Sequence, residues 1–477
     1  MANYDTQTVI IGAGPAGISA ALEAAKNGVQ VTLIDEGKKI GGQFYKQFPD
    51  GFSVDKNYLD KKFLDKNYFE GKKFIDQVKD ASKNIKIIEN ALVWGIYPDN
   101  EVVFIKDNKS NSIKCKKLIL AEGAYERSIP FPGWTLPGVY TTGGAQTILH
   151  TYRVVPGRKV LLSGTGPIQL VLANNLIRAG VEVVAVLESA SVIDSFKNMK
   201  LKYIPSVVRQ FDLIKDGLSY LNGIRKKTIP YLRSHAVIEA RGTNKVNSAI
   251  YAQLDSNWKP IPGTEKEVFV DAICLGYGFI SSTRLSHISG CEHEYDRTLG
   301  CFIPKHDNYM ESSVSGVFVA GDSAGVAGHL VAIEEGHLAG IRACRQLDTI
   351  NQKEEQRLTA PIFKKLKSLR CFEAALNEAC AIRAGLYHRI TDDTIVCRCE
   401  EITAGEIRNT VSFNRNIDVN ELKKITRAGM GFCQGRSCGA TIAALVALEK
   451  NIPIEEMGFI NYQEPAKPIR WGDMVAE

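Results

Sequence analysis

An apolar strand, a glycine-rich turn and a helical stretch follow one another at the start of the chain, and this order restricts the fold more than any other feature. Residues 8–11 are apolar, and residues 12–17 have the pattern G-x-G-x-x-G. The first glycine permits a tight turn, the second lets the backbone approach a pyrophosphate, and the third lets the helix pack closely on the strand. A second strand, at residues 30–34, ends in two acidic residues that can accept hydrogen bonds from ribose hydroxyls. The pattern predicts a dinucleotide-binding fold with nucleotide contacts from Gly12, Gly14, Pro15, Ala16, Gly17, Asp35 and Glu36.

A second glycine turn lies within residues 159–188 and repeats this order of strand, turn, helix and strand. Gly164 and Gly166 match the first two glycines, but Gln169 replaces the third and adds bulk where helix and strand should close. The strand that follows ends in Glu188, one position later than in the first repeat. Two interpretations stay open: a second nucleotide site, or a fold that has kept only its structural role.

Four of the eleven cysteines lie close together near the C-terminus, as a C-x-C pair and a C-x4-C pair: Cys397, Cys399, Cys433 and Cys438. Iron–sulfur clusters are held by such sets of four cysteines. Structural zinc also takes four thiolates, although its cysteine pairs usually have about two to four residues between them. The pattern favours a [2Fe–2S] cluster over zinc, and zinc over unrelated thiols. Basic residues nearby in sequence would offset the negative charge of a cluster: Arg398, Lys423, Lys424, Arg427 and Arg436.

Composition and charge exclude several classes of protein. The 477 residues predict two to four domains, and the net charge of +6 is spread without a basic block, which argues against a nucleic-acid partner. No run of 18 apolar residues occurs, so no transmembrane segment is predicted, and no signal-peptide pattern precedes the first strand. We therefore expect a cytoplasmic protein whose cysteines are thiols or metal ligands and not disulfides.

Three further features each have a weaker signal. Residues 57–79 interleave lysine with phenylalanine and tyrosine, as a nucleic-acid surface does, but the pattern is more typical of amphipathic helices with a solvated face. Residues 190–235 predict a largely helical excursion rich in lysine. His329 could approach a bound cofactor, but an ordinary structural histidine explains it better. No cysteine pair lies near either glycine turn, so the redox disulfide of a disulfide reductase is not predicted.

Two more segments resemble the flavin signatures of flavoproteins with two dinucleotide-binding domains. Residues 41–43 match the flavin-contacting loop, and residues 316–322 match the second FAD signature, whose aspartate binds ribityl hydroxyls. The resemblance implies flavin contacts from Gly42, Gln43, Gly321 and Asp322. Where this superfamily usually has a small hydroxyl residue, the chain has Glu122. Because the two signatures lie far apart, the resemblance also implies an FAD domain that is split by an inserted domain.

Nearly the whole chain is similar to one family of subunits. Residues 127–139, 164–167, 397–401 and 427–438 resemble the α (A) subunits of heteromeric FAD/[2Fe–2S] amino-acid dehydrogenases and oxidases. Members include opine oxidase, dye-linked proline dehydrogenase, hydroxyproline dehydrogenase, the hydrogen cyanide synthase flavoprotein and, in part, sarcosine oxidase. The cysteine-containing region is similar to the bacterioferritin-associated-ferredoxin (BFD) type of [2Fe–2S] domain.

This resemblance implies an α/β two-dinucleotide-binding-domain flavoprotein: a split FAD Rossmann-like domain, an inserted second Rossmann-like domain and a small helical C-terminal [2Fe–2S] domain. The predicted domains are the first half of the FAD domain (1–125), the inserted domain (126–280), the second half of the FAD domain (281–350), a helical linker (351–390), the BFD-like domain (391–455) and an extended tail (456–477).

The resemblance also implies partners, among them a β subunit similar to D-amino-acid-oxidase-type flavoproteins, with FMN at a subunit interface. A small ferredoxin-like γ subunit is a further expected partner in a hetero-oligomer. The chain would be the electron-transfer subunit of an oxidoreductase acting on CH–NH or CH–NH2 donors, passing electrons from the partner flavin through FMN and the cluster to FAD and an acceptor. No catalytic residue of its own is assigned.

Two alternatives to this function stay open, and so does the identity of the nucleotides. The first alternative is a self-contained NAD(P)H-dependent FAD oxidoreductase that uses Gly164, Gly166 and Glu188. The second is a non-catalytic, cluster-bearing scaffold. NAD(P) in the second fold, and ATP in place of FAD in the first, are the alternative ligands.

Overall fold

The computed structural model describes residues 4–51, 66–81, 83–191 and 210–474. The chain divides into two compact units. The first comprises the described parts of Met1–Tyr125, Ile280–Glu373 and Tyr462–Glu477, and the second those of Glu126–Phe279 and Ala374–Asn461. Residues 57–65 of the lysine- and aromatic-rich segment and residues 192–209 of the predicted excursion at 190–235, including Lys197, Lys200, Lys202 and Arg209, lie outside the described residues.

The strands of the described chain are β1 (Thr6–Ile11), β2 (Val31–Ile34), β3 (Ile85–Ile88), β4 (Leu92–Tyr97), β5 (Glu101–Lys106), β6 (Lys109–Leu120), β7 (Ala124–Glu126), β8 (Val139–Thr141), β9 (Lys159–Gly164), β10 (Glu182–Glu188), β11 (Tyr231–Arg233), β12 (His235–Arg241), β13 (Ser248–Gln253), β14 (Lys266–Phe269), β15 (Ala272–Gly276), β16 (Phe279–Ser281), β17 (His293–Asp296), β18 (Cys301–Pro304), β19 (Val317–Val319), β20 (Ile395–Cys397) and β21 (Ile402–Thr403). Its α-helices are α1 (Pro15–Lys26), α2 (Lys66–Asp80), α3 (Thr142–Tyr152), α4 (Pro167–Arg178), α5 (Phe211–Lys226), α6 (Arg284–Ile288), α7 (Gly328–Gln346), α8 (Gln352–Cys380), α9 (Ala404–Phe413), α10 (Val419–Thr426), α11 (Gly439–Lys450) and α12 (Trp471–Met474). None of these helices is both long and apolar enough to span a bilayer.

The first unit is built on a seven-stranded sheet of order β3-β2-β1-β6-β5-β4, with β19 also paired to β6. Strands β1, β2, β3 and β19 run parallel to their neighbours in it, whereas β4 and β5 pair antiparallel. The four parallel strands are apolar and mostly buried, as expected for strands covered on both faces. The carboxyl ends of β2, β1 and β6 therefore lie side by side, where open α/β sheets bind their ligands.

Helix α1 packs closely against α7 because glycines remove the side chains between them. A Cβ on Gly336 would lie 2.2 Å from the Ala16 carbonyl oxygen, and one on Gly340 would lie 2.7 Å from that of Ala20. Neither distance is compatible with a side chain at these positions. This contact sets α1, and with it the glycine turn, against the segment that follows β19.

The second unit contains a five-stranded parallel sheet, β11-β10-β9-β15-β8, and a three-stranded antiparallel sheet, β12-β13-β14. The C-terminal helices α9, α10 and α11 belong to the same unit. The Arg389 guanidinium is buried and donates to the carbonyl oxygens of Ile129 and Val237 and to the Tyr277 hydroxyl, at 2.7–3.0 Å. It therefore fixes the start of the C-terminal region to the sheet-containing part of the unit. Helix α9 begins with the capping box of Thr403 and Glu406, where the sequence predicts a helix start.

Candidate functional site

The turn between β1 and α1 requires glycine at two positions. Gly12 has φ +99°, and a Cβ there would lie 2.3 Å from the Ala121 carbonyl oxygen. A Cβ on Gly17 would lie 1.8 Å from the Gly12 carbonyl oxygen. Helix α1 begins at Pro15 with no acidic residue in its first turn, so its N-terminal amides and dipole present a positive end to an anion. This geometry fits a pyrophosphate.

The two acidic residues after β2 have different environments. The acceptor oxygens of Asp35 are occupied by the backbone, because its carboxylate accepts hydrogen bonds of 2.6 Å from the Ala13 and Gly37 amides. Burial raises the pKa of Asp35, an effect that these two amides oppose. Glu36 is exposed and pairs with Lys467 of the same unit. Of the two predicted ribose acceptors, the geometry favours Glu36.

The two later flavin-signature segments both reach the glycine turn. A Cβ on Gly42 would lie 2.8 Å from Gly14 Cα, and one on Gly321 would lie 2.8 Å from Ala16 Cβ. The Asp322 side chain is partly buried, and its carboxylate accepts hydrogen bonds of 3.2 Å from the amides of Ala327 and Gly328. Burial raises its pKa. The fold thus brings three segments that are distant in sequence to one end of α1.

His329 lies beside the loop that contains Gly42 and the exposed Gln43. Its ring stacks on Phe44, with ring centroids 3.8 Å apart and an interplanar angle of 14°. Burial lowers the pKa of His329 to about 4, so the imidazole is neutral at physiological pH. A neutral, stacked histidine fits a structural role at the edge of this site.

The four C-terminal cysteines form one continuous group in the second unit. The Cys438 thiol hydrogen-bonds the sulfurs of both Cys397 and Cys433, and Cys433 also contacts Cys399. Cys397 and Cys438 are each only 1% exposed, whereas Cys399 is exposed. Within the described residues, no group of three or more His, Cys, Asp or Glu side chains is arranged to hold a single metal ion. The thiol contacts join all four sulfurs into one group, and four cysteines are the set that an iron–sulfur cluster takes.

Backbone amides surround the sulfurs. The Gly429 amide donates to Cys397 Sγ at 3.4 Å. The Cys438 thiol is the main cause that lowers the pKa of Cys397 to about 6, with the Gly429 and Glu400 amides adding to it. The pKa of Cys433 is also lowered, first by Cys438, while that of Cys438 is raised. Iron and zinc bind thiolates, and N–H···S bonds to such sulfurs tune cluster potentials.

The loops that hold the thiols are compact and conformationally strained. A Cβ on Gly431 would lie 2.2 Å from Cys399 Cβ. Three residues other than glycine have left-handed backbones in these loops: Glu401 (φ 56°), Arg427 (φ 64°) and Gln434 (φ 52°). Such conformations cluster at ligand-holding sites, where the surrounding structure enforces them.

Three of the five basic residues predicted to offset the cluster charge contact other groups of the protein. Arg427 Nε donates to Glu400 Oε2 at 2.9 Å, and Lys423 Nζ donates to the Asn461 carbonyl oxygen at 3.2 Å. The Arg398 guanidinium lies 5.4 Å above the Trp134 ring. Amides, more than these side chains, face the sulfurs.

Trp134 is a residue of this site that the cysteine spacing could not reveal. Its Nε1 donates to the Ile395 carbonyl oxygen at 2.6 Å, two residues before Cys397. The side chain is 7% exposed. Its only sequence signal is its position in the segment 127–139, which resembles the amino-acid dehydrogenase subunits.

At the second glycine turn, groups of the protein itself occupy the positions that a nucleotide would contact. Gln169 Nε2 donates to Glu188 Oε2 at 2.9 Å, and the amides of Gly166 and Ala190 donate to the same carboxylate at 3.2 and 3.1 Å. Cys380 Sγ lies 3.2 Å from where a Cβ on Gly166 would be, on the side where a pyrophosphate would approach. This geometry weighs against nucleotide binding in the second fold.

Comparison with known proteins agrees with the two-part architecture. Residues 6–336 match the family described as pyridine nucleotide-disulphide oxidoreductase. Residues 395–447 match the BFD-like [2Fe-2S] binding domain.

Individual relatives cover nearly the whole chain. The opine oxidase A-subunit of Rhizobium meliloti is 31% identical over 482 residues, 99% of this chain and 87% of the relative. Hydrogen cyanide synthase subunit HcnB of Pseudomonas protegens is 31% identical over 97% of this chain and 96% of the relative. The crystal structure of L-proline dehydrogenase from P. horikoshii aligns with a TM-score of 0.68 at 21% identity, covering 99% of this chain and 79% of that chain. The predicted fold class is confirmed.

Proposed function

The chain belongs to the pyridine nucleotide-disulphide oxidoreductase family and is a relative of HcnB and of the opine oxidase A-subunit, and from this premise we propose that it is the electron-transfer subunit of a heteromeric amino-acid dehydrogenase or oxidase. It is an FAD-dependent oxidoreductase with a C-terminal [2Fe–2S] domain. The donor class we propose is a CH–NH or CH–NH2 group, as in proline, hydroxyproline, sarcosine or an opine.

One observation carries the proposal: four thiols joined by a chain of contacts, with amide donors around them, lie in the same protein chain as a flavin-type glycine turn. The residues proposed to hold the cluster are Cys397, Cys399, Cys433 and Cys438. When bound, a flavin exchanges electrons in pairs and a [2Fe–2S] cluster exchanges them singly. A chain that holds both can therefore divide a hydride equivalent into single electrons.

The role of the protein in this chemistry is to bind, orient and tune. The proposed FAD contacts surround the end of α1: Gly12, Gly14, Pro15, Ala16, Gly17, Glu36, Gly42, Gln43, Gly321 and Asp322, with Asp35 holding the turn. The amides of Gly429 and Glu400 stabilise anionic sulfur at Cys397. Burial of Cys397 and Cys438 excludes water from one side of the thiol group, while Cys399 leaves the other side open to a redox partner.

We further propose that a separate β subunit similar to D-amino-acid-oxidase-type flavoproteins oxidises the amine. Electrons would then pass through FMN at the subunit interface and the cluster to FAD and an acceptor, and a small ferredoxin-like γ subunit would complete the complex. The names of the relatives support a multi-subunit enzyme, since HcnB and the opine oxidase relative are both called subunits.

Copurification tests this proposal. The tagged chain is expressed with its neighbouring genes, and the purified complex is screened with secondary and primary amino acids and a dye acceptor. We expect copurification of a second flavoprotein, FMN in the extract, and dye reduction by at least one amine. A chain that purifies alone and reduces dye with NADH would contradict the proposal.

A further inference from the structure

The first glycine turn has two different sides in the sheet of the first unit. In the sheet order, β2 lies on one side of β1, and β6 with β19 lies on the other. Glu36, the favoured ribose acceptor, follows β2, whereas Gly321 and Asp322 follow β19. A dinucleotide that crosses the turn with its adenosine at Glu36 therefore extends its other half toward Gly321 and Asp322.

Helix α8 (Gln352–Cys380) is joined to this side of the turn by Arg370. The Arg370 guanidinium donates to Glu335 Oε1 at 2.9 Å, and Glu335 Oε2 accepts a hydrogen bond of 2.9 Å from the Gly321 amide. Glu335 lies on α7 and is 4% exposed. These contacts hold α8 beside the segment that contains Gly321 and Asp322.

Glu373 lies on the same face of α8 as Arg370, because residues three apart on a helix are neighbours. Its Oε1 lies 3.6 Å from where a Cβ on Gly328 would be. The Gly328 amide donates to the Asp322 carboxylate, and the next residue, His329, stacks on Phe44. The Glu373 carboxyl group therefore lies beside a backbone segment of the proposed flavin site.

The Glu373 carboxyl group is accessible and has no protein donor. The residue is only partly buried, so a ligand can reach it. In the described part of the chain, burial and then the Asp322 carboxylate raise its pKa to about 7, and no hydrogen-bond donor or cation opposes them. A carboxyl group that is partly withdrawn from water is normally hydrogen-bonded. Near neutral pH it can donate or accept such a bond, according to its protonation.

We infer that α8 contributes Glu373 to the flavin site, where its carboxyl group hydrogen-bonds the flavin half of the bound dinucleotide. The contact is made to the ribityl chain or to the polar edge of the ring, and not to the adenosine half. This inference rests on the proposed binding of FAD at the first glycine turn. It gives a cofactor-binding role to a helix that the sequence predicts only as a linker.

The experiment pairs a deletion in the protein with a deletion in the ligand. The full-length chain and its Glu373→Ala variant are freed of bound nucleotide, and the Kd values of FAD and ADP are measured by calorimetry. ADP lacks the flavin half. We expect the variant to bind FAD roughly tenfold more weakly and ADP within about twofold of the natural chain. Glu354→Ala, near the start of the same helix, is the matched control and should change neither Kd.

Losses of equal size for FAD and ADP would show a structural role of Glu373 and overturn the inference, as would an unchanged Kd of FAD. Glu373→Leu gives the same test if the alanine variant does not fold, because it keeps most of the side-chain volume. Glu373→Gln keeps a donor and an acceptor, so it should bind FAD within about threefold of the natural chain, and a loss of roughly tenfold would overturn the inference. If the natural chain itself does not bind FAD, the proposed function fails.

Discussion

Gln169 Nε2 lies 2.9 Å from Glu188 Oε2 and donates a hydrogen bond to it. In the sequence, Gln169 stands where the first repeat has its third glycine. That pattern leaves open whether the second fold binds a nucleotide. In the structure the glutamine occupies the acid that a ribose would need, and both side chains are buried. The Glu188 carboxylate is therefore bound to the protein itself, in the place of a ribose.

The isolated chain should not use NADH or NADPH. Because Glu188 is satisfied internally and Cys380 lies against Gly166, we expect no bleaching of the flavin by either nucleotide under anaerobic conditions. Stopped-flow absorbance at the flavin band checks this. Rapid and complete bleaching by NADH would restore the self-contained oxidoreductase as the better function.

Gln169→Leu should destabilise the chain by about 1–3 kcal/mol, because it leaves the buried Glu188 without one of its donors. The measurement is urea unfolding followed by far-UV circular dichroism. Gln77→Leu, on an exposed position of α2, is the matched control and should change stability by less than about 0.5 kcal/mol. Equal effects of the two substitutions would show that the Gln169–Glu188 contact contributes little.

Gly17→Ala should abolish flavin binding, because its Cβ would lie 1.8 Å from the Gly12 carbonyl oxygen and would push α1 away from β1. Flavin content per chain after purification is the measurement. Gly217→Ala is the control, since a Cβ at this position on α5 would meet no atom within 4 Å. That variant should keep its flavin and be as stable as the natural chain or slightly more stable. Full flavin occupancy in the Gly17 variant would contradict the proposed site.

Trp134→Phe should loosen the cysteine region, because it removes the donor to the Ile395 carbonyl oxygen. We expect a loss of about 1–3 kcal/mol of stability and faster loss of iron to a chelator, with flavin retained. Trp471→Phe is the control, since Trp471 is 84% exposed. Identical chelation rates for the two variants would rule out a role of Trp134 at the thiol site.

Glu373 should make stability depend on pH in a defined direction. Burial is the main cause that raises its pKa to about 7, with Asp322 adding to it. In the unfolded chain a glutamate titrates near about 4.3, so between these values the folded state binds a proton that the unfolded state does not. Stability from this group is therefore lost as pH rises through that window.

Glu373→Gln removes this titration and should gain stability relative to the natural chain as pH rises from about 4.5 to about 7, by up to about 3 kcal/mol. Urea unfolding across this pH range gives the difference. Glu354→Gln is the control: the hydrogen bond from Arg357 lowers the pKa of Glu354, so this group titrates below the measured range and the stability difference of its variant should stay constant across it. If the difference in stability between the Glu373→Gln variant and the natural chain did not change with pH, the Glu373 carboxyl would be exposed to water in the folded state.

Local patterns predicted the glycine turn and the helix start at Thr403, because a turn and a cap depend on residues close in sequence. The split flavin domain was implied by the resemblance to flavoproteins. The choice between Asp35 and Glu36 could not be predicted, since it depends on which side chain turns toward the Ala13 amide. The same holds for Glu373 and Trp134, whose neighbours Gly328 and Ile395 are far away in the chain.

The spacing of the cysteines indicated a cluster but not its surroundings. Two of the predicted arginines, Arg427 and Arg398, contact Glu400 and Trp134, and the Gly429 amide donates to Cys397. Charge near a site in sequence does not show where a flexible side chain points. Residues 352–357 of the predicted helical linker form the first part of α8 (Gln352–Cys380), and Cys380 at the end of this helix lies against Gly166.

Electron paramagnetic resonance of the anaerobically purified, dithionite-reduced full chain tests the central claim most directly. We expect the signal of a reduced [2Fe–2S] cluster in a sample whose oxidised form shows a flavin absorbance band. Cys399→Ser should lose the signal and keep the flavin, while Cys371→Ser should keep both. Stoichiometric zinc with no paramagnetic signal in the natural chain would contradict the account.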